Sequence, residues 1–318
     1  MKKSLPTPAA TTASPTDVRH RTDGPAEAGK RMSAPTGRHE SEAFAPATGS
    51  DGTPPVVTLG NGYTMPTVGL GCYSLHGETC IWAILSAVGL GYRKFDTAAF
   101  YGNEKEVGEA LRRSGIPRRK LFVATKLYPN RFADAENAIE ESLRKLDIGY
   151  IDLMLLHHPG AHDTKAYRAM ERAVEAGTIR SLGLSNYYIA ETREFLPRTK
   201  IGPILVQNEI HPYYRDRAAR EFLQRNGIVV EAWYPLGGRG YTDALLGDGT
   251  VSRIARRHGR SPAQIVLRWN LQNGVAVVPG SSDPIHQKEN IALFDFSLTP
   301  EEMAAIDALD RNEKHDWY

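Results

Sequence analysis

Cysteine is nearly absent: two residues, Cys72 and Cys80, in a chain of 318. That excludes a disulfide scaffold. Neither cysteine falls in a metal-ligand spacing, so both read as reduced, small apolar residues. Long apolar runs are missing too. None approaches the roughly 18 residues that a membrane span needs. Charge of one sign is not in excess, with 39 Lys and Arg against 37 Asp and Glu, a net of +2. Neither a nucleic-acid partner nor a polybasic membrane anchor is expected from such a balance. The opening, MKKSLPTPAATTASP, has prolines and threonines where a signal peptide carries its apolar segment. A cytoplasmic location is therefore the expectation.

What is present divides in two. Residues 1–54 are Pro, Ala, Thr, Ser and Gly with scattered charges and no periodicity. Such a segment offers too little apolar area to offset its ordering entropy, so it reads as a disordered extension. Residues 55–318 read as one domain. VVTLGNGYTM, around Asn61–Gly62, predicts a β-hairpin, with positive φ expected at both turn residues. Eight short apolar runs follow: 67–71, 94–96, 121–126, 151–156, 181–185, 204–208, 229–233 and 275–279. Segments with helical period lie between them, often closed by Gly. Ser261–Pro262 and TPEEM (299–303) carry N-cap signatures. Strand and helix repeated eight times predict an α/β fold, a (β/α)8 TIM barrel with an N-terminal hairpin. An open doubly wound sheet would carry G-x-G-x-x-G after its first strand. GLGCYS (69–74) has two of the three glycines and fails at the third, so it reads as a strand-end turn.

In such a barrel the chemistry sits at the carboxyl ends of the strands. Asp96 ends the second strand, with Tyr101 in the loop beyond. Lys126 ends the third and His157 the fourth. Adjacent strands are about 4.8 Å apart, so these groups can converge. A carboxylate there needs a partner, and Lys126 can supply it. The same ammonium is expected to lower the Tyr101 pKa from its ordinary value near 10. The set then reads as a general acid, Tyr101, tuned by Lys126 and Asp96, with His157 orienting a carbonyl. A strand-end lysine also suits a Schiff base, but Asp96 would keep it protonated. His157–His158 lacks the spacing of a metal pair, and no metal is expected.

FDTAAFYGNE, VATKLYPN, IDLMLLHHP, IRSLGLSNY, VQNEIHPYY and EAWYPLG resemble, in order, the successive motifs of the aldo-keto reductases. The likeness spans residues 56–318. Within the family the pattern is similar to the short-loop prokaryotic type, such as 2,5-diketogluconate reductase. The resemblance implies NAD(P)H-dependent reduction of aldehydes and ketones, an oxidoreductase acting on CH–OH donors, without a Rossmann domain. It implies a small carbonyl substrate and, by family habit, a monomer. It assigns the proton to Tyr101 and the hydride to the nicotinamide. It places Ser185, Asn186 and Gln207 on the carboxamide, Trp233 against the nicotinamide ring, and Leu236 among the cofactor contacts. Glu289 and Asn290 match its adenine contacts. Tyr73, Tyr128 and His158 stand at its substrate pocket.

Departures from the family pattern concern the pocket and the cofactor. His158 replaces a tryptophan, and Tyr234 a serine. In VPGSSDPIHQKEN (278–290), Gly280 and His286 replace the Lys and Arg that grip the 2′-phosphate of NADPH. Ser281 and Ser282 remain as hydroxyl donors. Full charges bind a phosphate better than neutral groups do. NADPH is therefore expected as cofactor with weakened discrimination, NADH remaining plausible. The alternative is a nicotinamide-binding sensor or regulatory subunit without significant turnover.

Overall fold

The computed structural model describes residues 54–315. The expected extension therefore lies outside the described residues but for Pro54. A two-stranded hairpin comes first, β1 (Val56–Thr58) and β2 (Thr64–Pro66), paired antiparallel. Eight parallel strands follow: β3 (Leu70–Gly71), β4 (Lys94–Asp96), β5 (Phe122–Leu127), β6 (Ile151–Leu156), β7 (Ile179–Ser185), β8 (Leu205–Glu209), β9 (Val229–Trp233) and β10 (Val275–Val277). They neighbour one another in chain order. The first strand is shorter than 67–71, because Thr67–Gly69 serve the closure instead. Val68 bridges Val277 in parallel, and Gly69 N–H donates to Val277 O at 2.9 Å. Gly71 N–H reaches Pro279 O at 3.1 Å. A Cβ on Gly71 would lie 2.5 Å from Val278 O, so only glycine allows the seam to close this tightly.

The core has two layers. A large shell fills the space between strands and helices. A small inner cluster, Phe122, Ala124, Leu153, Leu155, Leu205 and Ala276, fills the lower barrel, and the hairpin plugs it with Leu59 and Met65. Side chains alternate along a strand. The period that turns Phe122 and Ala124 inward therefore turns Lys126 inward, and Leu205 does the same for Gln207. The apolar floor thus fixes which polar residues enter the barrel above it.

The hairpin turn differs from the expectation. Gly62 has φ +88°, but Asn61 is not among the residues with positive φ. The loop is longer than two residues, running from Thr58 to Thr64, and Leu59 N–H bonds Tyr63 O. Asn61 Nδ2 instead donates to Arg180 O at 3.1 Å and Ser181 Oγ at 3.0 Å. A tertiary contact under the barrel takes over what local turn preference would have set. The two N-cap signatures appear as capping boxes, Ser261 with Gln264 and Thr299 with Glu302.

Candidate active site

A cavity of about 720 Å3 opens at the carboxyl ends of the strands. Asp96, Tyr101, His157, Ser185, Asn186, Gln207 and Trp233 all line it. The first three stand around Lys126, which is buried. Lys126 Nζ donates to Asp96 Oδ1 at 2.5 Å, to Thr97 O at 3.0 Å and to Tyr101 Oη at 3.4 Å. Asp96 Oδ2 accepts from Gln207 Nε2 at 2.9 Å. Every oxygen and proton of this buried pair is matched, which is what makes its desolvation tolerable.

The expected lowering of the Tyr101 pKa does not occur. Burial pushes the phenol well above its ordinary value, and Asp96, Tyr73, Tyr234 and Cys72 add to the rise. Asp96 lies against the Lys126 ammonium and opposes its effect on the phenol. Tyr101 is accordingly a neutral hydroxyl at pH 7. His157 is neutral as well. Burial first, then the Lys126 charge and His158, hold its pKa well below the usual histidine range. Its Nδ1 is buried and unpartnered. Its ring meets that of Tyr101 edge-on, 5.7 Å between centroids. A neutral phenol and a neutral imidazole, side by side over an ammonium, form a set able to protonate an oxygen held between them.

Ser185, Asn186 and Gln207 stand together because Ser185 and Gln207 are register partners on β7 and β8. Asn186 takes φ +63°. Its Nδ2 donates to His157 O at 2.9 Å and Ser185 Oγ at 3.2 Å, while Oδ1 accepts Trp233 Nε1 at 3.1 Å. Gln207 gives its second N–H to Glu231 Oε1 at 2.7 Å. Both its donors thus meet carboxylates, and its carbonyl oxygen is left to the cavity. The Ser185 hydroxyl, having accepted from Asn186, still has a proton to donate. One donor beside one acceptor is the complement of a primary amide, so this donor set fits a nicotinamide carboxamide.

Tyr73, Tyr128, His158, Leu236, Ser281 and Ser282 also line the cavity. His158 stacks on His157 at 4.7 Å, and burial with Lys314 and Lys126 pushes it down to about 4. His286, Glu289 and Asn290 are not in the lining. They lie on the helix Pro284–Ile291 beyond Ser282, His286 exposed and Asn290 buried. Sequence reasoning left out several features around this cavity. Phe100 stacks on Tyr128 at 4.3 Å, and its place inside FDTAAFYG was the available signal. Arg239 reaches across to Ser74 Oγ at 2.7 Å from a loop whose Gly-Gly-Arg-Gly run was legible. Glu209, His211 and His315 gather from β8, the next loop and the C-terminal segment. The two imidazoles are stacked at 4.4 Å, so their in-plane lone pairs do not converge on one point. Glu209 Oε1 already accepts from His211 Nε2 and His315 N–H.

Known proteins carry the same frame. Residues 67–311 match the Aldo/keto reductase family. Morphine 6-dehydrogenase of Pseudomonas putida is 38% identical over 276 residues, covering 81% of this chain and 92% of that protein. Glyoxal reductase of Bacillus subtilis (strain 168) is 37% identical over 262 residues, covering 81% and 94%. Among solved structures, an aldo-keto reductase from a Medee basin deep-sea metagenome library superposes with a TM-score of 0.79 at 33% identity, covering 82% of this chain and 96% of that one. The aldose reductase of Schistosoma japonicum gives 0.78 at 31% identity, covering 82% and 94%. With a closed eight-stranded barrel, a Tyr–Lys–Asp–His cluster at its carboxyl end and this coverage, the chain belongs to the aldo/keto reductase family and is an oxidoreductase.

Proposed function

We propose that the protein reduces small aldehydes and ketones to alcohols with NADPH or NADH, Tyr101 giving the proton. The observation that carries this reading is the buried line Asp96–Lys126–Tyr101, capped by a neutral His157. When bound, the nicotinamide supplies the hydride. Ser185 and Gln207 would hold its carboxamide, and Trp233 would cover the ring. The carbonyl oxygen of the substrate sits between Tyr101 Oη and the His157 ring, which fixes it by donating a hydrogen bond. Tyr101 releases its proton as charge develops on that oxygen, and the Lys126 ammonium steadies the phenolate left behind. Asp96 keeps Lys126 aimed at the phenol.

Relatives named methylglyoxal reductase and glyoxal reductase support small, reactive aldehydes as the substrate class. At the cofactor's ribose end the charge balance departs from an NADPH site. Asp283, which the sequence reading passed over, caps the helix Pro284–Ile291 with Oδ1 on Ile285 N–H. Its carboxylate occupies the helix N-terminus that would otherwise favour a phosphate. With Gly280 and His286 in place of cations, discrimination against NADH is weak. The test is reduction of methylglyoxal, followed by nicotinamide absorbance, with NADPH and NADH in parallel. Turnover with both is expected. Cofactor binding without turnover on any small aldehyde would overturn the reductase reading in favour of a nicotinamide sensor.

A further inference from the structure

One group of buried charges has no task in the mechanism above. Lys94 and Glu231 have fully buried side chains and form an ion pair inside the barrel. Lys94 belongs to β4, two residues before Asp96, and Glu231 to β9, directly across from Gln207 in register. The barrel makes room for the pair at Gly69, where a Cβ would lie 2.8 Å from Lys94 Cγ. Burying two charges is costly, and a pair of apolar residues usually serves stability as well or better. The pair therefore calls for a role besides filling space.

Its contacts supply one. Glu231 uses Oε2 for Lys94 and Oε1 for Gln207 Nε2, at 2.7 Å for the latter. The other N–H of Gln207 goes to Asp96 Oδ2 at 2.9 Å. Asp96 Oδ1 holds Lys126, and Lys126 faces Tyr101. A line of hydrogen bonds thus runs from the barrel floor to the phenol. Only the NH2 end of an amide can satisfy two carboxylates, so the pair of acids fixes both the rotamer and the flip of Gln207. With Glu231 gone, one carboxylate remains, and Gln207 is free to pivot about it.

We propose that Lys94 and Glu231 are positioning residues for hydride transfer: they lock Gln207 with its carbonyl oxygen toward the nicotinamide carboxamide and, through it, steady Asp96 behind Lys126. The proposal rests on the nicotinamide reading of the site. Lys94 pairs with Glu231, and Glu231 does the holding.

The test is the double variant Lys94→Met with Glu231→Leu, which leaves no buried charge unpaired. Its Tm is expected to equal or exceed that of the wild type. Its dissociation constant for NADPH or NADH, read by fluorescence titration, is expected to rise about tenfold or more. In a Gln207→Ala background the same two changes should cost little further, because their effect passes through Gln207. Should the double variant not fold, Glu231→Asp keeps the charge for Lys94 and draws the carboxylate back from Gln207; the same weakening is expected. Cofactor affinity like that of the wild type in either variant overturns the proposal, as does a full loss on top of Gln207→Ala. A wild-type protein that binds neither cofactor rejects the nicotinamide reading itself, which keeps the two failures apart.

Discussion

At Tyr101 two effects of opposite sign meet. The ammonium of Lys126, 3.4 Å away, favours the phenolate, while burial and the nearby Asp96 disfavour it. Burial wins because the lysine is already matched by Asp96 at 2.5 Å. In the proposed mechanism the tyrosine waits as a neutral acid, and its proton leaves as negative charge develops on a bound oxygen. Tyr101→Phe should lower kcat by about 10²–10⁴-fold, the usual worth of a positioned acid, with NADPH affinity unchanged. Single-turnover kinetics beside cofactor titration separates the two quantities; near wild-type turnover would remove Tyr101 from the mechanism. The histidines make a pH statement. His157 lies well below its ordinary value of 6.5 and stays neutral in the folded chain, whereas the unfolded chain takes up that proton. Stability must then fall as pH drops below about 6.5. His157→Gln is expected to lose less Tm than the wild type between about pH 7 and pH 5. Parallel Tm curves for the two would show that His157 is not the group being protonated.

At the level of elements, the proposed reading puts the choice of cofactor on the helix Pro284–Ile291 and the turn before it. Gly280→Lys is a poor probe, because a Cβ there comes within 3.0 Å of Gly71 O at the barrel seam. His286 is 65% exposed and can change freely. Replacing Asp283 by Ser keeps an N-cap and removes the carboxylate. Asp283→Ser with His286→Arg should therefore shift the ratio of kcat/KM toward NADPH by about tenfold, roughly 1.4 kcal/mol. An unchanged ratio would mean that the 2′-phosphate lies elsewhere. This region also shows what the sequence made legible. Strand ends at Asp96, Lys126, His157, Ser185 and Gln207 could be read because two-residue alternation and a polar residue at the end of an apolar run are local signals. Asn61 could not, since its partners Arg180 and Ser181 are remote in the chain. The same holds for Lys94 and Glu231. Each looks like a charged strand residue until the barrel closes and brings β4 and β9 to one interior. Asp283 was hidden for another reason: its effect comes from a helix terminus, and the motif drew attention to the missing cations instead.

At the level of the whole molecule, the barrel is complete within the described residues. The hairpin seals the floor with Leu59 and Met65, and Thr67 N–H and Oγ both bond Pro55 O, at 2.9 Å and 3.0 Å, which ties the entering chain to the seam. At the other end His315 stacks on Tyr241 at 3.6 Å and its Nδ1 meets Gly237 O at 2.6 Å, so the C-terminal segment bears on a loop that lines the cavity. Both anchors begin after residue 53. The family match begins later still, at residue 67, and relatives that cover 81% of this chain are themselves covered to more than nine tenths. A chain starting at Pro54 retains the contacts named above for the described residues. Its kcat/KM for an aldehyde and its Tm are expected to match those of the full chain. A fall in kcat/KM at constant Tm would give the first 53 residues a part in catalysis, and a fall in Tm alone would give them a part in stability.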